Sequence, residues 1–126
     1  MRLNPDCIRD ILLVCEDGCS PGEMYMFRYE PFEWDGRSYS ADETLYHLRQ
    51  CDMNGYFSKA SEDMVGNFRV FDLSPRGHEF LADIRSDNVW NKTKAASKEI
   101  GVSSLRGLAS IAAQIVTAII NKYIGV

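Results

Sequence analysis

Apolar positions along the chain alternate between helical and strand-like spacing, and this pattern divides it into elements. Ile8, Ile11, Leu12 and Cys15 recur at three- and four-residue intervals, which predicts a helix over 5–16 with one buried face. Asn4-Pro5-Asp6 marks its start with a capping side chain, a first-turn proline and an acid at the positive end of the dipole, and Gly18 supplies the stop. Residues 24–34 are aromatic and roughly alternating, a strand or a strand and a turn that ends at Asp35-Gly36. Pro31, without an amide donor, places this strand on a sheet edge or interrupts it.

Ser40-Ala41-Asp42-Glu43 is a capping box that opens a helix to about Met53, with Leu45, Leu48 and Cys51 turned inward, and Asn54-Gly55 stops it. Tyr56-Phe57 then begins a short strand, 58–66 is a polar loop, and 67–73 alternates as a returning strand, so that the pair makes a wing. Ser74-Pro75 caps the next helix, which continues toward Trp90 on a buried stripe of Phe80, Leu81 and Ile84. A basic, polar stretch with Lys92, Lys94 and Lys98 leads to Gly101, and 103–123 is a final, unusually apolar helix. The expected fold class is therefore α+β: a winged-helix-like domain with a small antiparallel sheet over 1–90, then a basic connector and an appended apolar C-terminal oligomerisation helix over 91–126.

At 126 residues, with 45% hydrophobic and 25% charged positions, the chain suits one globular domain with one core. Its net charge of -4 hides an asymmetry. Residues 1–66 carry 6 Lys+Arg against 13 Asp+Glu, while residues 67–126 carry 8 against 5. An anionic partner should meet the second half, and the acidic whole removes the simplest compositional argument for nucleic acid. The N-terminus lacks the basic-then-apolar layout of a signal peptide, so a cytoplasmic protein with Cys7, Cys15, Cys19 and Cys51 as free thiols is expected.

Helix, strand, helix, wing and helix in this order resemble a winged-helix domain. Residues 45–57, Leu-Tyr-His-Leu-Arg-Gln-Cys-Asp-Met-Asn-Gly-Tyr-Phe, look like a recognition helix and first wing strand, and Leu73-Ser74-Pro75-Arg76-Gly77 looks like the entry to the helix after the wing. One feature departs from a DNA reader: a helix-turn-helix needs a first helix just before the recognition helix, and the residues before Ser40 read as strand and turn. Residues 3–13 (LNPDCIRDILL), 46–51 and 77–87 further resemble a domain-of-unknown-function family of short bacterial and prophage proteins. That resemblance implies a phage or mobile-element setting and brings no activity with it.

Candidate chemistry is sparse. On the helix after Ser40, His47, Arg49 and Gln50 are expected on the solvent face, where Arg and Gln suit bidentate contacts to bases, although Asp42 and Glu43 oppose phosphate. Arg69 on the wing and Arg76 at the following helix start are candidates for backbone contacts with duplex DNA. Cys15, Cys19, His47 and Cys51 could supply four zinc ligands, but their spacing fits no zinc motif and the cysteines also suit apolar helical positions. No metal, cofactor or catalytic motif is expected, which favours binding over enzymatic function. Two partners follow: DNA at the basic half, or a host or defence protein at the acidic first half. Leu108, Ile111, Ala112, Ile115, Ile119 and Ile120 form an apolar arc wider than one face needs, too short to span a membrane, which predicts a homo-oligomer through the last helix.

Overall fold

Asn4 accepts the backbone N–H of Asp6 and starts helix α1 (Pro5–Gly18), the element around which the others are placed. Residues 1–125, which the computed structural model describes, form an α+β fold of five helices and two small antiparallel sheets. After α1 come strands β1 (Tyr25–Phe27), β2 (Phe32–Trp34) and β3 (Arg37–Tyr39), then α2 (Ala41–Met53), β4 (Phe57–Glu62), β5 (Phe68–Leu73), α3 (Pro75–Ile84), α4 (Asp87–Ile100) and α5 (Leu105–Tyr123). The sheet order is β1-β5-β4, with Tyr25 opposite Val70 and Ala60 also opposite Val70 from the other side.

Pro31 interrupts the aromatic stretch: β1 joins the main sheet and β2 leaves it to form a separate hairpin with β3. The hairpin turns at Asp35 and Gly36, whose φ values of 50° and 78° are the left-handed pair of a two-residue turn. Strand β3 falls where the residue pattern gave no strand.

Two further elements differ from expectation. The β4 strand runs to Glu62, so the expected polar loop shrinks to a turn held by Asp63, which accepts from the backbone N–H groups of Val65 and Asn67. The helix after Ser74 does not continue to Trp90. It ends at Ile84, and Ser86 caps a new helix, so the basic connector is itself helical and buries Val89, Trp90, Thr93 and Ser97. The polar members of that face are satisfied locally: Thr93 donates to the Val89 carbonyl and Ser97 to that of Val102. Gly101, at φ 84°, closes α4.

A single hydrophobic cluster takes in α1 (Ile8, Ile11, Leu12), α2 (Leu48, Cys51), the sheet (Phe68, Val70), α3 (Phe80, Leu81), Trp90 of α4 and the first half of α5. Gly77 lets α3 approach the strand entry, since a Cβ there would lie 2.2 Å from the Tyr56 carbonyl oxygen. The polar side of α1 is equally engaged. Asp10, fully buried, accepts Arg37 Nε and Nη2 at 2.7 Å each and the Tyr39 hydroxyl at 2.6 Å, which fastens the β2–β3 hairpin to the core.

Arg37→Ala should strand the Asp10 carboxylate in the core. The expected loss is about 3 kcal/mol in urea unfolding, at the low end for a broken buried pair because Arg37 is itself partly in water; adding Asp10→Asn should restore part of it.

His47 ties the N-terminus of α1 to α2. Its Nε2 accepts the Asn4 N–H at 2.7 Å, and its Nδ1 lies 2.7 Å from the Glu43 carbonyl, an arrangement that requires the neutral ring protonated on Nδ1. Burial pulls the His47 pKa below its ordinary 6.5, against the raising effect of Glu43. The unfolded chain therefore binds the proton more readily, and the stability from neutral His47 is complete above about pH 6.5 and is lost as pH falls below it. Thermal melts at about pH 7.5 and 5.5 should show this loss, and His47→Gln should flatten it. Glu16 and Glu62, held below the ordinary 4.5 chiefly by guanidinium hydrogen bonds, contribute in full above that pH and lose their contribution only as pH falls below it, outside the His47 window.

Candidate nucleic-acid interface and neighbouring surfaces

Helix α2 starts as its capping box requires, with Ser40 Oγ accepting the Glu43 N–H. Its inward face, however, is Thr44, His47, Leu48 and Cys51, rotated from the expected one so that Leu45 is only half-buried. His47 is therefore corrected from a solvent-facing contact to a core residue whose two ring nitrogens are occupied. The preference of a polar ring for solvent is overridden by an unpaired N–H at Asn4 that needs an acceptor.

The other expected contacts do not converge on one surface. Arg49 is exposed but forked onto Glu62 of β4, with Nε and Nη2 donating at 2.8 and 2.7 Å. Gln50 is half-buried near the end of α2, where its carbonyl accepts from Asn54. Arg69 is half-buried on β5 opposite Met26 and Ser61, and Arg76 lies exposed in the first turn of α3. At the leading end of α2, Asp42 is exposed and accepts the Tyr29 hydroxyl. An approaching phosphate thus meets an acid at the helix start and a neutralised arginine behind it.

The β4–β5 tip, polar by its composition, presents Met64 and Val65 to solvent on a turn held by Asp63. Composition concealed this, because two apolar residues among polar ones carry no periodic signal. A second missed feature is a groove of about 290 Å³ between α3 and α5, with Tyr56 and Phe80 in its wall and Arg76, Glu79, Asp83 and Arg106 around it.

Among the thiols, Cys7, Cys15 and Cys51 are buried and their pKa values are pushed up, chiefly by burial. Cys19, half-buried beside Cys15, is pulled down to about 7, chiefly by its hydrogen bond with the Cys15 thiol. Among the described residues no cluster of three or more His, Cys, Asp or Glu could hold a metal ion, and His47 has no free nitrogen to offer one.

In α5, Leu108 and Ala112 are corrected from oligomerisation residues to core residues, buried with Leu105 against α3 and α4. Ile111 and Ile115 are half-buried, Ile119 and Ile120 are exposed, and every residue from Thr117 to Gly125 is exposed. The apolar arc is wide because its first half faces the core and its second half projects beyond it. No helix among the described residues is long and apolar enough to cross a membrane.

The LNPDCIRDILL motif is accounted for by this geometry as a structural device. Besides Asn4 and Asp10, Asp6 accepts the Trp90 indole N–H and Lys94, and Arg9 donates to the Ile84 and Arg85 carbonyls and to Asp87. No curated protein and no solved structure matches the chain. One family model, described as hypothetical protein (DUF2513), matches residues 2–103, from the start of the motif to the threshold of α5. With most of its length matched, and with the motif helix inside that match, the chain belongs to the DUF2513 family.

Proposed function

We propose that this is a non-enzymatic accessory protein of the phage or prophage type, working in the cytoplasm by binding, and that its partner is a host or defence protein met by the acidic first half. The observation that carries this reading is the closure of α2: His47 is buried, Arg49 is clamped by Glu62 and the leading turn is acidic. The order helix, strand, helix, hairpin, helix with β1 beside β5 supports a winged-helix scaffold. The β2–β3 hairpin takes the place where a DNA reader carries its first helix.

The surface charge supports the same partner. Glu23, Glu30 and Glu33 are exposed around β1–β3 and outnumber the exposed Arg28, with Asp35 paired to Arg37 at 3.6 Å, while Arg9 and Arg37 from the same half are engaged by α1 and its neighbours. A basic protein surface would be steered to this face. DNA is the second reading, favoured by Arg69 and Arg76 in the positive half, and a homodimer through the projecting half of α5 is compatible with either.

Cross-linking in host cells should capture a basic protein on residues 23–35, and Glu30→Lys with Glu33→Lys should abolish the capture. Fluorescence anisotropy with duplex DNA at low salt should show no saturation through the ~10⁻⁶–10⁻⁴ M range of non-specific binders. Saturation weakened by Arg69→Ala or Arg76→Ala would replace the protein reading with the DNA one.

For the dimer, light scattering at micromolar concentration should give twice the chain mass, and Ile119→Glu should return it to a monomer whose circular dichroism is unchanged, because Ile119 is exposed in the single chain. A monomer mass for the unaltered protein would exclude that association.

A further inference from the structure

Tyr56 follows α2 and precedes β4, with its backbone carbonyl accepting the Ser74 N–H and its ring stacked on Phe80 at 5.2 Å. Only 2% of the residue is exposed, and its hydroxyl has no hydrogen-bond partner among the described residues. No buried side-chain N or O atom is sealed off without a partner, so this hydroxyl keeps some contact with solvent, and Tyr56 lines the groove. A phenol placed there, with nothing of its own protein to bond, is an unusual expense for a core residue. Burial pushes its pKa up to about 12 while Arg76 works in the opposite direction, so at neutral pH it remains a donor beside a guanidinium.

Charge is arranged along the same groove. Arg76, Glu79, Phe80 and Asp83 share one face of α3, at the i, i+3, i+4 and i+7 spacing of neighbouring turns. From the opposite side, α5 contributes Arg106 and Ser110, with Ala109 and Ala113 leaving room. Among the described residues none of the four charged side chains forms an ion pair, whereas every charge of the α1 motif does or is bonded. Burial and the neighbouring Glu79 both raise the Asp83 pKa, which places the two carboxylates together and Asp83 partly out of water.

One length and one volume restrict the occupant. Seven helical residues separate Arg76 from Asp83, roughly 10 Å along the axis. The volume of about 290 Å³ lies at the lower end of ligand pockets and suits an amino acid better than a nucleotide.

We propose that this groove binds a small zwitterion of the basic amino-acid class. The ligand carboxylate sits against Arg76 and the Tyr56 hydroxyl, and its side-chain cation reaches Asp83 and Glu79. Such a ligand has its carboxylate at one end of a flexible apolar stem and its side-chain cation at the other, with the α-ammonium beside the carboxylate left to solvent, and the aromatic wall of Phe80 and Tyr56 covers the stem. The site lies apart from the acidic strands 23–35, so it stands whether or not the proposed protein partner is correct.

Titration of the full chain with L-lysine and L-arginine, followed by ¹H–¹⁵N NMR, tests it. Saturable shifts are expected in the millimolar range, confined to 54–56, 76–83 and 106–113. L-norleucine, which lacks the side-chain cation, and cadaverine, which lacks the carboxylate, should each bind at least tenfold more weakly. Tyr56→Phe keeps the ring and loses no protein hydrogen bond, so it should weaken lysine binding roughly tenfold with the melting temperature unchanged. Asp83→Asn should erase the preference for lysine over norleucine. The proposal is overturned if neither amino acid saturates, if norleucine binds as well as lysine, or if Tyr56→Phe lowers the melting temperature while binding is unaltered. Binding of a capped peptide with an internal lysine, but not of free lysine, would also overturn it and assign the groove to a protein chain.

Discussion

A helix buried on its apolar face and engaged on its polar face constrains everything packed around it, and α1 is such a helix. Ile8, Ile11, Leu12 and Cys15 are wholly buried, and so is Asp10. A carboxylate in that position is costly unless its oxygens are fully bonded. Arg37 and Tyr39 meet that need from one short strand, so the hairpin must dock where it does. The same demand recurs along the helix: Asn4 needs the His47 ring as acceptor, and Asp6 takes the Trp90 indole and Lys94.

These contacts reach across 27 to 88 positions of the chain, so α1 orders elements that are remote in sequence and adjacent in space. Arg9 shows how this shapes local structure. Its guanidinium supplies donors to the Ile84 and Arg85 carbonyls, the orphan acceptors at the end of α3. With those satisfied, the chain can break there, and Ser86 restarts it as α4. The interruption lets Trp90 turn inward over α1 instead of continuing along α3.

The organisation also explains why the surface expected to read DNA is closed. Turning His47 inward to meet Asn4 rotates α2, and what remains outside is an acidic leading turn and an arginine already neutralised by β4. Unspent binding capacity lies elsewhere. Apolar side chains project at the β4–β5 tip and along the second half of α5, carboxylates crowd the first three strands, and unpaired charges surround the Tyr56 groove.

Much of the helical layout was legible from residues near each element. Asn4, Ser40 and Ser74 cap where their side chains and the following spacing indicate, and Phe80, Leu81 and Ile84 form the expected stripe, because capping and periodicity act within a few residues. The strand β3, the break at Ile84, the burial of His47 and the division of the C-terminal arc depend on tertiary partners. In each case the deciding partner lies far along the chain: Asp10 for Arg37 and Tyr39, Arg9 for the end of α3, Asn4 for His47, and the core for Leu108 and Ala112 but not for Ile119 and Ile120. Local sequence states what a residue offers to hydrogen-bond or bury, whereas only the folded chain determines whether a distant group arrives to accept it.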